Sequence, residues 1–225
     1  MLEHDPDLGE LVPERDREAA RQASMAGLVD VSPGVWDARR DSDRARPGFG
    51  LLVLEGVLVR RVGAGGRYGA ELLSAGDLLR PWDLDGDETL GFEANWRVLA
   101  PTRLAVLDPG WAARMGRFAC VGPELAGRAL SRSRRLAAMM AIAQQPRLEE
   151  RLLMLFWELA DRHGRVRVDG VHVELPLTHE VLSQLAAARR PSVSGALTRL
   201  ADQGRVRRNR NTWVLAGEPP SAWTA

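Results

Sequence analysis

The chain has 225 residues, 45% of them hydrophobic and 27% charged, and a formal net charge of +1, so it can bury the core of one large domain or of two small ones. Cys120 is the sole cysteine, which excludes an internal disulfide and any zinc or iron–sulfur site built only from the cysteines of one chain. No apolar run reaches 18 residues and the N-terminus is acidic, which argues against a membrane span or a signal peptide and favours the cytoplasm.

The basic residues are unevenly distributed along the chain, and all of them are arginine. Residues 1–120 carry 15 arginines and 20 acidic residues, whereas residues 161–215 carry 10 arginines and 5 acidic residues. A basic excess confined to one part of a nearly neutral chain is where we expect a phosphate-binding surface.

The character of the sequence changes at Phe49. The residues before it are charged and predict one helix, about 13–25. We expect a surface element or partial disorder at the extreme N-terminus. The residues after it are rich in valine and leucine, with turns predicted at 63–66 and 75–77 and a break at 101–102 that separates two strand-like runs. Short strands at this spacing indicate a small all-β sandwich or jelly-roll barrel.

Two long helices are predicted after the strands. The first runs from about 122 to 145. Its apolar stripe consists of Leu125, Ala129, Leu136, Met140 and Ala143. Such a stripe can form a homodimer seam, and the alternative is that the helix packs on its own β-domain. The second helix, about 147–162, has a dense apolar face typical of a core helix, and a small hairpin around Asp169-Gly170 follows it.

Residues 175–200 read LPLTHEVLSQLAAARRPSVSGALTRL and predict two short helices joined by a tight turn. Thr178 is a good N-cap for the first helix, and Pro191 is tolerated in the first turn of the second. The inward residues of the second helix are Val193, Leu197 and Leu200. Its outward face is small and polar and consists of Pro191, Ser194, Gly195 and Thr198. This pattern is typical of a helix-turn-helix, whose second helix lies in the major groove of DNA.

A basic wing is predicted after the second helix. Gly204 ends that helix, and residues 205–215 predict two short strands around a polar turn. The alternative is a solvated helical hairpin followed by a charged β-turn. That alternative explains neither the order helix, turn, helix, wing nor the arginines gathered at both tips.

In order and in residues the chain resembles the cyclic-AMP receptor protein (Crp/Fnr) family of bacterial transcription regulators. The most specific segments are LTHEVLSQLAAARRPSVSGAL, and GFGLLVLEGVLV followed by LLSAGDLL. The resemblance implies an α+β fold with an N-terminal cyclic-nucleotide-binding-like β-barrel (a jelly roll), a long dimerisation helix and a C-terminal winged helix-turn-helix. We expect these three parts at residues 1–120, 121–145 and 146–225.

The candidate DNA-contacting residues fall into two groups. By resemblance, Thr178 and His179 match residues that contact phosphates, and Arg190 matches an arginine that donates twice to a guanine edge. From their positions, we expect phosphate contacts from four arginines, Arg189, Arg207, Arg208 and Arg210. We assign Arg190, Ser194 and Arg199 to base edges or nearby backbone. Ser192 and Thr198 complete the candidate set.

Two departures from the family predict a different operator. Pro191 stands where the cyclic-AMP receptor protein has a carboxylate that accepts from a base, and Gly195 stands where it has a second base-reading arginine. Gly195 also costs about 1 kcal/mol of helix propensity relative to alanine, which close approach to the DNA would explain.

The predicted sensor domain departs further. Where cyclic-nucleotide binders hold the phosphate with an Arg-Ser or Arg-Thr pair, this sequence has Ala94-Asn95, so we do not predict cyclic AMP as the ligand. The spacing of the four histidines indicates neither haem nor zinc, and we expect no cofactor. Another effector could bind among Trp82, Trp96, Arg80 and Arg97, or these could be ordinary barrel and surface residues. Cys120 is expected to be a buried structural thiol, and the alternative is a redox-active one.

We therefore predict a regulator that binds double-stranded DNA as a homodimer, through residues 123–145, on a palindromic operator. RNA polymerase and an unidentified small-molecule effector are further candidate partners, and no membrane partner is expected. The alternative is a small-molecule sensor or protein-interaction adaptor whose winged helix no longer reads DNA specifically. An enzyme is not predicted, because the sequence has no nucleophile–base pairing, metal constellation or phosphate-binding glycine loop at the required spacing.

Overall fold

The computed structural model describes residues 1–84 and 91–219, which form two compact units. The N-terminal unit comprises residues 1–67 and 72–135, and the C-terminal unit comprises residues 68–71 and those from 136 onward. The helices of the N-terminal unit are α1 (Pro6–Glu10), α2 (Arg17–Ala23), α3 (Ala38–Ser42), α4 (Pro109–Met115) and α5 (Val121–Ala143). The last residues of α5, from 136 onward, belong to the C-terminal unit. The strands are β1 (Gly27–Val31), β2 (Gly34–Trp36), β3 (Gly50–Ala64), β4 (Arg67–Ser74), β5 (Leu78–Leu79) and β6 (Glu93–Leu107). Short 3-10 turns lie at Glu14–Asp16, Asp43–Ala45 and Pro81–Leu84.

The six strands form one antiparallel sheet around a core of leucine, valine and tryptophan side chains. The strand order is β1-β6-β3-β4, with β2 also paired to β6 and β5 to β3. β3 and β6 each have 15 residues and pair from Gly50 opposite Leu107 to Gly63 opposite Glu93. This antiparallel sheet and the helices that follow agree with the predicted α+β class.

The two central strands are longer than the sequence predicted, because β6 continues through residues 101–102 where we expected a break. Opposite that point the register of β3 shifts between Val53 and Leu58. Gly56 lies in this irregular stretch with φ at +99°, and its backbone is too close to Pro101 and Thr102 for any side chain. A β-bulge of this kind accommodates a proline, which has no N–H for the ladder. The break in the sequence pattern therefore marks a bulge in the pairing of β3 with β6, and both strands continue through it.

The N-terminal segment is part of the core, which corrects our expectation of a surface element or a partly disordered end. Leu2, Leu8 and Val12 are buried in the same cluster as Leu125 of α5. β1 and β2, which we did not predict, pair with β6. The predicted helix at 13–25 is a 3-10 turn followed by α2. Single apolar residues in a charged segment show no periodicity, so their burial depends on partners that lie far along the chain.

Two arginine contacts hold α5 within the N-terminal unit. Arg128 donates to both carboxylate oxygens of Asp5 and, at 2.9 Å, to Glu124. About two turns further on, Arg135 pairs with the buried carboxylate of Asp77. The first part of α5 is therefore fixed to the N-terminal segment and to the turn that precedes β5.

The apolar surface of α5 is displaced by about a quarter of a turn from the predicted stripe. Leu125 faces the core of its own unit and is only 1% exposed, whereas Leu130 and Met140 are 68% and 71% exposed. At about 100° per residue, the exposed residues of α5 lie on one face, which has the charged residue Arg134 at its edge. The other residues of this face are Pro123, Ala126, Ala129, Leu130, Ser133, Ala137, Met140 and Ala141. The sequence predicted an apolar stripe correctly but not which of its residues are covered.

The C-terminal unit has the predicted order of elements. Its elements are α6 (Leu148–His163), β7 (Gly164–Arg167), β8 (Gly170–Val173), α7 (His179–Leu185), α8 (Arg190–Asp202), β9 (Val206–Asn209) and β10 (Thr212–Leu215). The four strands form a second antiparallel sheet in the order β7-β8-β10-β9. α8 packs against α6, whose buried face includes Leu155 and Phe156, and α7 packs against α8. This is a winged helix-turn-helix.

Within residues 1–84 and 91–219, no helix combines the length and the apolar content that crossing a membrane requires.

Candidate nucleic-acid interface

The first helix of the motif is set by a side-chain cap. Oγ1 of Thr178 accepts from the amide of Val181 at 3.2 Å, so α7 begins at His179 as predicted. The cap uses one lone pair of the Thr178 hydroxyl, which leaves its proton available to an external acceptor such as a phosphate. α7 ends at Leu185, and the turn that follows places Ala187 at φ +47°.

The second helix buries the predicted stripe and exposes the predicted face. Val193, Ala196, Leu197 and Leu200 are buried. On the opposite side, the exposed residues are Arg190, Pro191, Ser192, Thr198 and Arg199, with Ser194 and Gly195 partly exposed. Gly195 adds no bulk between them: a Cβ there would meet only Nη1 of Arg199, at 3.5 Å. The outward face of α8 is therefore low and polar, with arginines at its N-terminal entry.

His179 and Ser194 join the two helices. Nδ1 of His179 lies 2.8 Å from Oγ of Ser194, whose hydroxyl also lies 3.3 Å from the carbonyl oxygen of Arg190. When the Ser194 hydroxyl donates to that carbonyl, Nδ1 is the nitrogen that donates to Ser194. Burial, followed by the positive charges of Arg208 and Arg190, lowers the pKa of His179. The imidazole of His179 is therefore mostly neutral at pH 7. It lies close enough to Arg208 and Arg190 for their charges to affect it.

The wing is anchored by Trp213. Its ring is buried against Phe156, with centroids 4.9 Å apart, and its Nε1 donates to the carbonyl oxygen of Leu177 at 3.3 Å. The guanidinium of Arg208 lies 5.3 Å from the centre of the same ring, and its Nε donates to the carbonyl oxygen of Arg210 at 3.0 Å. Arg208 is thus held against the wing and remains exposed.

Three arginines of the candidate set extend from the surface without an ionic partner. The side chains of Arg189, Arg190 and Arg210 form no ion pair in the part of the chain that the structure describes, and all three are exposed. Arg210 occupies the turn of the wing at φ +53°. Unpaired guanidinium groups at the entry of α8 and at the tip of the wing are suited to bind phosphates or a base edge.

Two other arginines of the candidate set already have carboxylate partners, which sequence reasoning missed. Arg207 pairs with Asp169 in the turn between β7 and β8, and Asp169 also contacts Nε2 of His172 at 2.7 Å. Arg199 pairs with Glu149 in the first turn of α6. These partners lie 38 and 50 residues away in sequence, so no local pattern indicates them.

Two of the four residues considered for an effector pocket, Trp96 and Arg97, are separated from each other. Trp96 is buried in the sheet core, where its ring meets Trp36 edge to face at 5.7 Å, whereas its neighbour Arg97 is exposed. Successive residues of a strand point to opposite faces, which separates them. Trp82 is partly buried, with the guanidinium of Arg80 5.4 Å from its ring. Cys120 is half-buried against the core of the N-terminal unit.

Among the described residues, no three His, Cys, Asp or Glu side chains gather in the way that a metal site requires.

Comparison with known proteins gives a domain family and a fold. Residues 147–216 match the family of Crp-like helix-turn-helix domains. A CRP-family transcriptional regulator of Thermus thermophilus is 21% identical, with a TM-score of 0.56 over 84% of this chain and 92% of that one. FixK2 of Bradyrhizobium japonicum is 17% identical, with a TM-score of 0.61 over 86% of this chain and 93% of that one.

A protein from Listeria monocytogenes that contains a cyclic nucleotide-binding domain is 13% identical, with a TM-score of 0.68 over 93% of this chain and 96% of that one. At these identities the similarity establishes the shared fold. No curated protein matches the sequence of this chain.

Proposed function

Because the chain has a Crp-like helix-turn-helix domain at residues 147–216 and the fold of Crp/Fnr regulators, we propose that it is a sequence-specific transcription regulator that binds a palindromic operator as a homodimer. The observation that carries this proposal is the pair Arg189 and Arg190. Both are exposed at the entry of α8 beside its small polar face, and neither forms an ion pair among the described residues. Such a face fits the major groove.

The candidate residues divide between backbone and base contacts. Arg189, Arg208 and Arg210, with Thr178 and His179, are proposed to contact phosphates, which fix the register of the protein on the duplex but carry no sequence information. Arg190 is proposed to donate to a guanine, with Ser194, Ser192 and Thr198 near the base edges. For Arg207 and Arg199 we propose phosphate or backbone contacts that compete with Asp169 and Glu149.

The homodimer is proposed to form through the exposed apolar face of α5. From Ala126 to Ala141 this face is about 22 Å long at 1.5 Å per residue. It combines small residues, which let helices approach closely, with the large exposed side chains of Leu130 and Met140. A largely apolar surface of this length on a helix, with Arg134 at its edge, is typical of an interface. A second copy of the same helix is the occupant that a two-fold operator requires.

Within this proposal, residues 1–120 form the sensor domain, 121–145 the dimerisation helix and 146–225 the DNA-binding domain. We propose that regulation does not depend on cyclic AMP, because Ala94-Asn95 offers no guanidinium to a cyclic phosphate. RNA polymerase and an unidentified small-molecule effector remain proposed partners. DNA binding would place the protein in the cytoplasm, and the proposal assigns it no catalysis.

The alternative function is a sensor or adaptor that no longer reads DNA specifically. The observation in its favour is that Glu149 and Asp169 already neutralise two arginines on the side of the proposed interface. Under this alternative the remaining arginines would bind phosphates without selecting a sequence.

The experiment that separates the two is selection of the full-length protein against random duplex DNA, sequenced at two salt concentrations. An enriched palindrome with half-site centres about one helical turn apart supports the dimeric regulator. Salt-dependent binding that enriches no sequence contradicts it and favours the sensor or adaptor.

A further inference from the structure

Arg151, in the first turn of α6, donates hydrogen bonds to backbone carbonyls of two separate segments of the chain. Its Nε and Nη2 donate to the carbonyl oxygen of Gln145 at 3.1 and 2.6 Å, and its Nη1 donates to the carbonyl oxygen of Ala186 at 2.9 Å. The proposed DNA contacts do not involve Arg151. Its three hydrogen bonds connect two segments that lie 41 residues apart.

One carbonyl lies at the C-terminal end of a helix and the other lies just beyond one. Gln145 is two residues beyond the end of α5, directly before Pro146, and Ala186 is the C-cap of α7. The last carbonyls of a helix have no intrahelical donor and carry partial negative charge, so a cation stabilises them. A planar guanidinium with several donors can hold two carbonyls in one geometry, whereas an ammonium group acts as a single point.

The two contacts fix a corner of the C-terminal unit. One side of the corner is the end of α5 (residues 136–143), and the other is the turn between α7 and α8, with Arg190 only four residues beyond Ala186. Arg151 therefore relates the direction of the last turns of α5 to the N-terminal entry of α8 through a single side chain.

We propose that Arg151 is a positioning residue for operator recognition: by holding the corner between α5 and α8, it sets the distance and angle between the two recognition helices of the dimer, and so the half-site spacing that the protein accepts. This inference rests on the proposed function, because it requires a dimer through α5. It assigns Arg151 no contact with DNA.

The consequence concerns specificity more than affinity. Contacts of arginines with phosphates on any duplex do not require both recognition helices to be in register. Simultaneous binding of two half-sites does, since one inserted base pair moves them apart by about 3.4 Å along the axis and rotates them. A loosened corner should therefore weaken binding to the correct operator, spare binding to random DNA and tolerate altered spacing.

The test compares full-length wild type, Arg151→Met and Arg151→Lys on three duplexes. These are the palindrome enriched by selection, the same palindrome with one base pair inserted at its centre, and random DNA. Arg147→Met is the matched control, because Arg147 lies at the start of the same helix, is 78% exposed and pairs only with Glu150 among the described residues. Melting temperatures are measured for all four proteins.

We expect Arg151→Met to bind the palindrome about tenfold more weakly than wild type, as the loss of charge-assisted hydrogen bonds implies, with random DNA changed less than about threefold. The wild type should lose about tenfold or more in affinity on the inserted operator, and Arg151→Met should lose much less. Arg151→Lys should fall between the two, and Arg147→Met should match wild type. If Arg151→Met is too unstable to measure, Arg151→Lys carries the same comparison.

A residue that only stabilises the fold would lower the active fraction, so all three affinities would fall together and the penalty for the inserted base pair would not change. That result, or wild-type behaviour of both variants, overturns the inference and leaves the proposed function standing. If the wild type enriches no palindrome, the proposed function fails at the selection step, before any variant is compared, and the inference fails with it.

Discussion

Nδ1 of His179, in the first turn of α7, lies 2.8 Å from Oγ of Ser194, in the middle of α8. This hydrogen bond joins the N-terminal end of α7 to the outward face of α8. We propose that the first of these contacts phosphates and the second contacts bases. The protonation state of one side chain can therefore change the position of the other.

The pKa of His179 predicts that DNA binding depends on pH. Burial and the charges of Arg208 and Arg190 lower this pKa below its usual value of 6.5 in the free protein. Phosphates that offset those arginines would raise it, so binding takes up a proton. Affinity should thus increase as the pH falls through the raised pKa of the complex, and should level off below the lowered pKa of the free protein.

Fluorescence anisotropy with an operator duplex between about pH 5.5 and 8 measures this effect, a range that spans the usual pKa of histidine. His179→Gln should lack the dependence, and His4→Gln, which changes a histidine near the N-terminus, should retain it. The same pH dependence in wild type and His179→Gln would rule out His179 as its source.

Substitution of the two adjacent arginines at the entry of α8 should have different effects. Arg190→Ala should relax base preference at one operator position in each half-site, at a cost of about 1–3 kcal/mol for the preferred base. Arg189→Ala should weaken binding to all sequences and reduce the slope of log K against log salt by about one. Selection and salt titration of both variants check this, and an unchanged preference in Arg190→Ala would contradict its assignment to a base.

Gly195→Ala should separate stability from DNA binding. The added Cβ meets only Nη1 of Arg199 at 3.5 Å, so the fold accommodates it and helix propensity should raise the free energy of unfolding by about 1 kcal/mol. On the proposed DNA face, however, the methyl group hinders close approach, and operator affinity should fall by about tenfold. Urea denaturation and anisotropy measure the two effects. A more stable variant with undiminished affinity would show that residue 195 does not approach the DNA.

Asp169→Asn should strengthen non-specific binding. The substitution removes the carboxylate that pairs with Arg207 and lies beside the wing, so Arg207 becomes available to phosphate. Both side chains are more than half exposed, and the gain on random DNA should be only a few-fold, with a salt slope steeper by up to about one. Asp161→Asn, an exposed acid of α6, makes the same change in net charge and should have a smaller effect. Equal effects of the two variants would indicate net charge alone.

Asp5→Asn should destabilise the N-terminal unit at neutral pH. Burial opposes the ionisation of Asp5, but hydrogen bonds from Arg128 and from the amide of Leu8 outweigh it and lower its pKa below 3.8. A lowered pKa means that the stabilisation is present above the unfolded-state pKa and is lost as the pH falls through the folded-state pKa. The loss at pH 7 should be about 2 kcal/mol.

Urea denaturation of wild type and Asp5→Asn from pH 7 down to the lowest pH at which both fold measures this difference, which should shrink below about pH 4. Asp7→Asn, at an exposed position of the same short helix, should match wild type throughout. A difference that does not depend on pH would mean that the ionised carboxylate is not the source of the stabilisation.

The helix-turn-helix could be predicted from the sequence because its signals are local. The cap at Thr178 acts on an amide three residues away, and the helix end near Gly204 depends on that residue's own φ of +67°. The ion pairs that restrain Arg199 and Arg207 could not be predicted, because each joins residues that only the fold brings together.

The strands show the same limit. Gly56 and Pro101 are each a turn signal when considered alone, yet they lie opposite each other in one bulge between continuous strands. Likewise, the periodicity of α5 predicted a helix with an apolar stripe, but Leu125 is covered by residues such as Leu8 from the start of the chain. Which apolar residue is buried depends on partners that the helical pattern does not contain.

α5 is one unbroken helix, although the two compact units divide it between Arg135 and Leu136. Residues 136–143 are too few to stay helical in isolation, so their amides should exchange with deuterium as soon as the preceding turns unwind. The turns around Arg128 and Arg135, which ion pairs hold to the N-terminal unit, should exchange only when that unit opens. The exchange rates along this one helix would therefore record how far unfolding of either unit spreads into the other.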